Sequence, residues 1–250
     1  MNVRVRCLPA GDQALYLCIE PARIDPAISR RLQLLANALE AQPPRGVREV
    51  IPAYSTLQVL YDPLVTDFRR VAAECRARFA ELADAPLPPP RRWRLPTLYG
   101  GEHGPDLEEV ARYHGLSSDE VVRIHAGTDY FIHFMGFAPG FPYLGGLSPR
   151  LATPRLATPR TRVPAGSVAI GGAQTGVYPL STPGGWRLIG RTPVPLCRPD
   201  RVPPAVLVPG DYVRFVPIDP ATYREIEAEV AAGRYRLEPE ALPVRGEAPR

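Results

Sequence analysis

Proline occupies 32 of the 250 positions, and most of these lie between residues 84 and 220. A proline inside a helix removes a hydrogen bond and clashes with the preceding turn, so this stretch cannot be built from long helices. Short strands joined by tight turns remain. The segments YFIHFM, SVAIGG, GWRLIG, AVLV and YVRFVP fit, each apolar or alternating and each bounded by Gly or Pro. Between residues 129 and 220 the pattern is that of a closed β-barrel or sandwich.

Residues 1–88 read differently. VRVRC and QALYLCI alternate like strands around the turn LPAGD. Asp25–Pro26 is an N-cap followed by proline at the first helical position. Ile28, Leu32, Leu35, Ala36 and Leu39 then recur at helical spacing up to Pro43. REVIPAY and TLQVLYD are two more strands turning near Tyr54–Ser55, and Phe68, Val71, Ala72, Cys75 and Phe79 mark a second amphipathic helix. The expected unit is a small ferredoxin-like α+β layer, with a crossover strand after the second helix. DAPLPPPRR at 84–92 reads as a semi-rigid linker. Beyond it come a strand (RWRLPTLYG), a helix over 106–114 and a second helix opened by the capping-box pair Ser117 and Glu120. One surface helix follows residue 220 and ends near Gly233, with a mobile tail expected after it. The expected domains are therefore an α+β domain over 1–88, a β-barrel domain over 89–220, and a C-terminal helix and tail over 221–250.

Composition excludes several chemistries. The chain has no lysine, so its 30 basic residues are all arginine. A lysine-dependent phosphate loop, a Schiff base and a lysine general base are thereby ruled out. Any anion must be held by arginine, backbone N–H groups or helix N-termini. The net charge of +4 is spread along the chain without aromatic interleaving, which argues against nucleic acid. No apolar run reaches the roughly 20 residues a membrane span requires, and MNVRVRCLPAGDQ lacks the apolar core of a secretory signal. The expected location is cytoplasmic. Cys7, Cys18, Cys75 and Cys197 are scattered, as reduced and mostly buried thiols would be.

The four histidines lack a metal-ligand pattern, so no metal site is expected. His114 and His125 close short helices, where a positive charge is favoured, and His133 reads as half-buried in a strand. IGGAQTG lacks the glycine order and following helix of a dinucleotide loop. The tandem LATPRLATPR at 151–160 displays Arg155 and Arg160 on a proline-stiffened loop.

What remains is a concentration of aromatic, arginine and glycine residues. Phe131, Phe134, Phe137 and Phe141 fall within eleven residues of FMGFAPGFPYLGGL and its lead-in. Leaving each unburied costs roughly 1.5–3 kcal/mol, so they belong to the core, a pocket or an interface. Residues 158–193 add Arg160, Arg162, Gln174, Thr175, Tyr178, Ser181, Gly184, Gly185, Trp186 and Arg191. A glycine-cornered barrel core and a ligand pocket are both consistent with that composition.

The strings GFAPGFPYLGGL and TPRTRVPAGSVAIGGAQTGVYPLSTPGGWRLIGRTP closely resemble one family. It is known variously as the B subunit of ATP-dependent 5-oxoprolinase, allophanate hydrolase subunit 1 and the Kip-type inhibitor of a sporulation histidine kinase. DLEEVARYHGLSSDEVVRIHAGTDY, GDQAL and EVIPAYSTLQVLYDP extend the resemblance over residues 8–218. It implies a small α+β domain followed by a cyclophilin-like β-barrel. It also implies a three-part complex with a related C subunit plus a third, A subunit. That complex uses ATP and Mg²⁺ to open 5-oxo-L-proline to L-glutamate. Inhibition of a histidine kinase, or urea and allophanate chemistry, are the alternative family roles. Under the first role, Phe137, Phe141 and Tyr143 form an aromatic wall over 136–147, with Tyr178 and Trp186 beside it. Arg155, Arg160 and Arg191 are candidates for the substrate carboxylate. Gln174, Thr175 and Ser181 are candidates for the lactam, and the Gly184–Gly185 N–H groups for a developing oxyanion.

Overall fold

A computed structural model describes residues 4–20, 22, 24–82 and 84–242. The chain forms two compact units, residues 1–88 and 89–250.

The first unit has four strands, β1 (Arg4–Pro9), β2 (Ala14–Glu20), β3 (Val47–Pro52) and β4 (Thr56–Tyr61), and two helices, α1 (Pro26–Ala41) and α2 (Phe68–Glu81). The strands are antiparallel in the order β1-β2-β4-β3. This is the ferredoxin-like sheet with its last strand moved to the front. The edge strand anticipated after α2 is β1, which pairs locally with β2 through a short turn. Asp25 caps α1 by accepting from the Ala27 N–H, and Asp67 caps α2 by accepting from the Arg70 N–H. Ile28, Leu32, Leu35 and Leu39 of α1 and Val71 and Cys75 of α2 are buried against Leu15, Leu17, Ile19, Leu57 and Val59. Each fully buried aliphatic side chain contributes about 1.5–3 kcal/mol. The carboxyl end of α1 is closed by arginine rather than glycine. Arg78 donates to the Ala38 and Gln42 carbonyls, at 3.2 and 2.5 Å, and so pairs a cation with the negative end of the helix dipole. Burial pushes the Cys75 thiol up to about 12, leaving it inert.

The second unit is built around β5 (Arg91–Tyr99), so the linker ends at Pro90 rather than Arg92. The unit's other strands are β6 (Tyr130–Met135), β7 (Pro142–Gly145), β8 (Arg160–Val163), β9 (Ser167–Gly171), β10 (Gln174–Val177), β11 (Thr182–Gly184), β12 (Arg187–Arg191), β13 (Tyr212–Pro217) and β14 (Glu240–Ala241). The main sheet runs β10-β9-β12-β5-β13-β6-β7. Its two ends, β10 and β7, pack side by side, so it is a nearly closed barrel of the cyclophilin-like kind. β8 and β11 form a separate pair. β5 runs parallel to β13 along one edge and shares its other edge between β12 and β14. Asp211, just before β13, accepts from the Arg91 N–H and guanidinium and from the Trp93 indole N–H. Helices α3 (Leu107–His114), α4 (Ser118–Ala126) and α5 (Pro220–Ala231) lie against β12, β13 and β5 respectively. The capping box of Ser117 and Glu120 is formed.

Several local expectations are corrected. AVLV is not a strand, since only Ala205 bridges, to Cys197. The flanking Pro203, Pro204 and Pro209 deny it a ladder. The tail is not free over its described part, because Glu240 and Ala241 pair with β5 and Glu240 binds Arg92. Residues 243–250 lie outside the described residues. His133 is fully buried rather than half-buried.

His125 is not a charged helix end. It is fully buried, with Nδ1 2.7 Å from the Tyr99 hydroxyl and Nε2 2.8 Å from Thr175 Oγ1. Thr175 Oγ1 donates to the Ala169 carbonyl. Nε2 therefore carries the proton, Thr175 accepts it, and Tyr99 donates to Nδ1. Burial lowers the His125 pKa from 6.5 to about 3. The folded protein keeps this imidazole neutral, whereas the unfolded chain protonates it below its ordinary pKa. Stability is thus complete above pH 6.5 and declines as pH falls toward 3, with a slope approaching ~1.4 kcal/mol per pH unit from this group. Urea midpoints from pH 7 down to pH 4 should show that slope, and His125→Gln should remove it.

Candidate functional site

The aromatic concentration folds as a hairpin between β6 and β7 rather than as one loop. The turn is closed by hydrogen bonds from the Gly136 N–H to the Phe141 carbonyl and from the Phe141 N–H to the Ala138 carbonyl. Phe141 points inward and is buried. It packs edge-on against Trp186, Tyr178 and Tyr143, with ring centroids 5.5–5.8 Å apart. Tyr143 also stacks on Phe134 at 4.3 Å. Phe131 belongs to the interior. Phe137 alone of the four is turned outward, 67% exposed, with its ring edge-on to Phe141 at 5.4 Å. Its φ is +62°, the only non-glycine in the left-handed region among the described residues. A bulky residue held there costs about 1–2 kcal/mol. Phe137 is thus a strained, exposed aromatic at the tip of the hairpin.

Trp186 explains the glycines that the sequence left ambiguous. A Cβ on Gly171 would sit 2.5 Å from the indole, and one on Gly184 would sit 2.4 Å from the Tyr178 hydroxyl. The indole lies on bare backbone. IGGAQTG is therefore the β9–β10 hairpin, opened for a ring, and not a phosphate loop. Burial raises the Tyr178 pKa and outweighs the hydrogen bond from the Trp186 backbone and the charges of Arg155 and Arg160. Tyr178 thus remains a neutral phenol.

The arginines are placed unequally. Arg155 is exposed, its guanidinium 5.6 Å above the Trp186 ring in a cation–π contact, and among the described residues it makes no hydrogen bond or ion pair. Arg160 is not displayed on a loop. It is half-buried, bonded to Asp106 at 2.7 Å and to the Trp186 carbonyl at 3.4 Å. The other Asp106 oxygen accepts the Leu188 N–H, so the pair ties α3 to the strands below it. Arg162 reaches Ser181 Oγ at 3.2 Å. Arg191 donates to the Ala165 carbonyl at 2.9 Å.

The fold thus gathers Phe137, Phe141, Tyr143, Tyr178, Trp186 and Arg155 into one ledge. Ser181 lies just before β11, Gly184 ends it and Gly185 follows it, and the Gly185 carbonyl accepts the Leu156 N–H. Thr175 faces the His125 network in the interior, and Gln174 opens β10 opposite Gly171. Two residues of this neighbourhood escaped the sequence reading. Asp106 reads as a helix cap but makes no side-chain cap bond, and serves Arg160 instead. Thr182 Oγ1 is buried without a hydrogen-bond partner among the described residues. Asp106 carries no local signal, because its partners are brought in from other strands. Also among the described residues, no group of three or more His, Cys, Asp or Glu could hold a metal ion, and no helix is long and apolar enough to cross a membrane.

A small α+β unit followed by a cyclophilin-like barrel is an architecture with known relatives. Residues 5–207 match the carboxyltransferase domain family, subdomain C and D, and the chain belongs to that family. It is similar to the protein called the B subunit of 5-oxoprolinase in Bacillus subtilis (strain 168), 43% identical over 239 residues, 92% of this chain and 99% of that one. The protein of that name from Escherichia coli O157:H7 is 46% identical over 217 residues, 86% of this chain and 96% of that one. Among solved structures, TTHA0988 superposes with a TM-score of 0.73 at 38% identity. The match covers 83% of this chain and 40% of TTHA0988, so this chain spans less than half the length of that relative.

Phe137→Gly should leave the urea midpoint unchanged or raised, since it relieves about 1 kcal/mol of backbone strain and removes a mostly exposed ring. A loss of more than about 1 kcal/mol would mean that the ring is structural.

Proposed function

We propose that this chain is the B subunit of a 5-oxoprolinase. It acts with two companions, which resemble the C and A subunits of that enzyme, to open 5-oxo-L-proline to L-glutamate. The observation that carries this reading is the collinear 43% identity to a 5-oxoprolinase B subunit over nearly the whole of both chains. TTHA0988 supports the need for a companion, because the family fold there is one part of a longer polypeptide.

A lactam carbonyl is stabilised by amide resonance, so its hydrolysis is coupled to ATP in this reading. ATP and Mg²⁺ are assigned to the complex rather than to this chain. The chain has no lysine, its glycine-rich segment is a hairpin opened for Trp186, and its described residues offer no carboxylate grouping for a metal. The ledge is assigned to substrate and companion together. Arg155 has guanidinium donors without a hydrogen-bond partner among the described residues, over an aromatic face, a geometry suited to a carboxylate. Arg160 is committed to Asp106, and we assign it to holding the ledge in place. Ser181 is exposed just before β11, where its hydroxyl, which accepts from Arg162, can meet the lactam, and Phe137 supplies apolar contact to the companion.

The test is glutamate formation from 5-oxoproline, ATP and Mg²⁺ with this chain alone and then with both companions. Turnover only in the full mixture is expected. In that mixture Arg155→Ala should raise KM for 5-oxoproline about tenfold or more while leaving the urea midpoint within about 0.5 kcal/mol. No turnover with folded companions would overturn the assignment, and an unchanged KM would remove Arg155 from the substrate.

A further inference from the structure

Away from the ledge, a cavity of about 130 Å³ lies between the 194–206 segment, the end of α5 and the residues that follow that helix. Its floor is apolar, made by Val194, Val206, Val230 and Leu237. Its rim is cationic. Arg198, Arg201 and Arg236 all line it, with Glu238 as the single carboxylate.

The charges on that rim are not cancelled. Arg198 pairs with Asp200 at 2.9 Å. Arg201 makes no ion pair with a carboxylate among the described residues and acts on Asp200 only through space. Arg236 donates to the Gly233 and Tyr235 carbonyls, which orient the guanidinium without neutralising it. Even with Asp200, which is not part of the lining, three guanidinium groups stand against two carboxylates. Tyr235 also lines the cavity, and burial raises its pKa, so its hydroxyl stays a neutral donor.

The space equals about four water volumes. That is room for a carboxylate on a compact body of a few carbons. A dianion is disfavoured by Glu238 and by the negative carboxyl end of α5, where Val230 sits. A neutral amide would leave the excess charge unmatched. We propose that this cavity binds a small monocarboxylic acid, its hydrocarbon body on the valine floor and its carboxylate between Arg201 and Arg236. None of these residues belongs to the ledge, so the proposal stands apart from the oxoprolinase assignment.

The full chain should be titrated with pentanoate, cyclopentanecarboxylate, pentanamide and inorganic phosphate, followed by backbone amide NMR. The two carboxylates should shift Val206, Val230 and Leu237, with pentanamide at least about tenfold weaker. Arg201→Ser and Arg236→Ser should each weaken pentanoate binding by a similar factor while the remaining spectrum is unchanged. Val230→Phe, which fills the floor and keeps every charge, should abolish it. Equal binding of pentanamide would reduce the cavity to an apolar crevice. Phosphate binding tighter than pentanoate, or no shift at about 50 mM of either carboxylate, would likewise overturn the proposal.

Discussion

The barrel depends on one close approach, that of the Trp186 indole to the bare backbone of β9 at Gly171. The ring replaces what would be a side-chain layer and brings Phe141, Tyr178 and Leu188 into a second small core beside the main one. Everything proposed for the ledge rests on that contact. Arg155 has a ring to lie on because the other side of the indole is held by backbone. Gly184 keeps clear of the Tyr178 hydroxyl, so β11 can run past the phenol. Packing of this kind is intolerant, because a single added methyl group has nowhere to go.

The buried polar groups follow the same logic of full commitment. His125, Tyr99, Thr175 and the Ala169 carbonyl form a chain in which each donor meets one acceptor, and the neutral imidazole fixes the direction. Asp211 collects four separate donors at the start of β5 and β13, three from Arg91 and one from Trp93. Asp106 serves both Arg160 and the Leu188 N–H. These two carboxylates position backbone, and so offer little to an external ligand.

Much of the fold was legible because its periodicities are local. The apolar stripe from Ile28 to Leu39, the Asp25–Pro26 opening and the Ser117–Glu120 box each name an element from within one segment. The strands β6, β9, β12 and β13 are legible for the same reason. Strands β7, β8, β10 and β11 were not, being only three or four residues long and defined by their partners. AVLV misled because apolar β-branched residues look the same whether or not prolines leave them a ladder. At the site, the aromatic ledge was visible as composition, but its division of labour was not. Arg155 and Arg160 are equivalent members of a repeated pentamer in the sequence. Only the partner Asp106, brought in from the start of α3, makes Arg160 structural, while Arg155 lies exposed over the Trp186 ring. Thr175 sits in the interior for a related reason, since its neighbour His125 comes from another element.

The position of β5 at the centre of the barrel has a consequence for how the protein is made. None of its ladder partners precedes it in the chain, because β12, β13 and β14 all follow, the parallel partner β13 beginning only at Tyr212. At ribosomal rates of roughly 5–20 residues per second, β5 waits on the order of 10 s for that partner. Until β12 emerges at Arg187–Arg191 the strand is an unpaired edge, and Trp93 and Leu95 still wait for β13 after that. The first unit, whose pairings are all complete by Tyr61, is already available upstream. The barrel is therefore the part of this chain that a holding chaperone would meet.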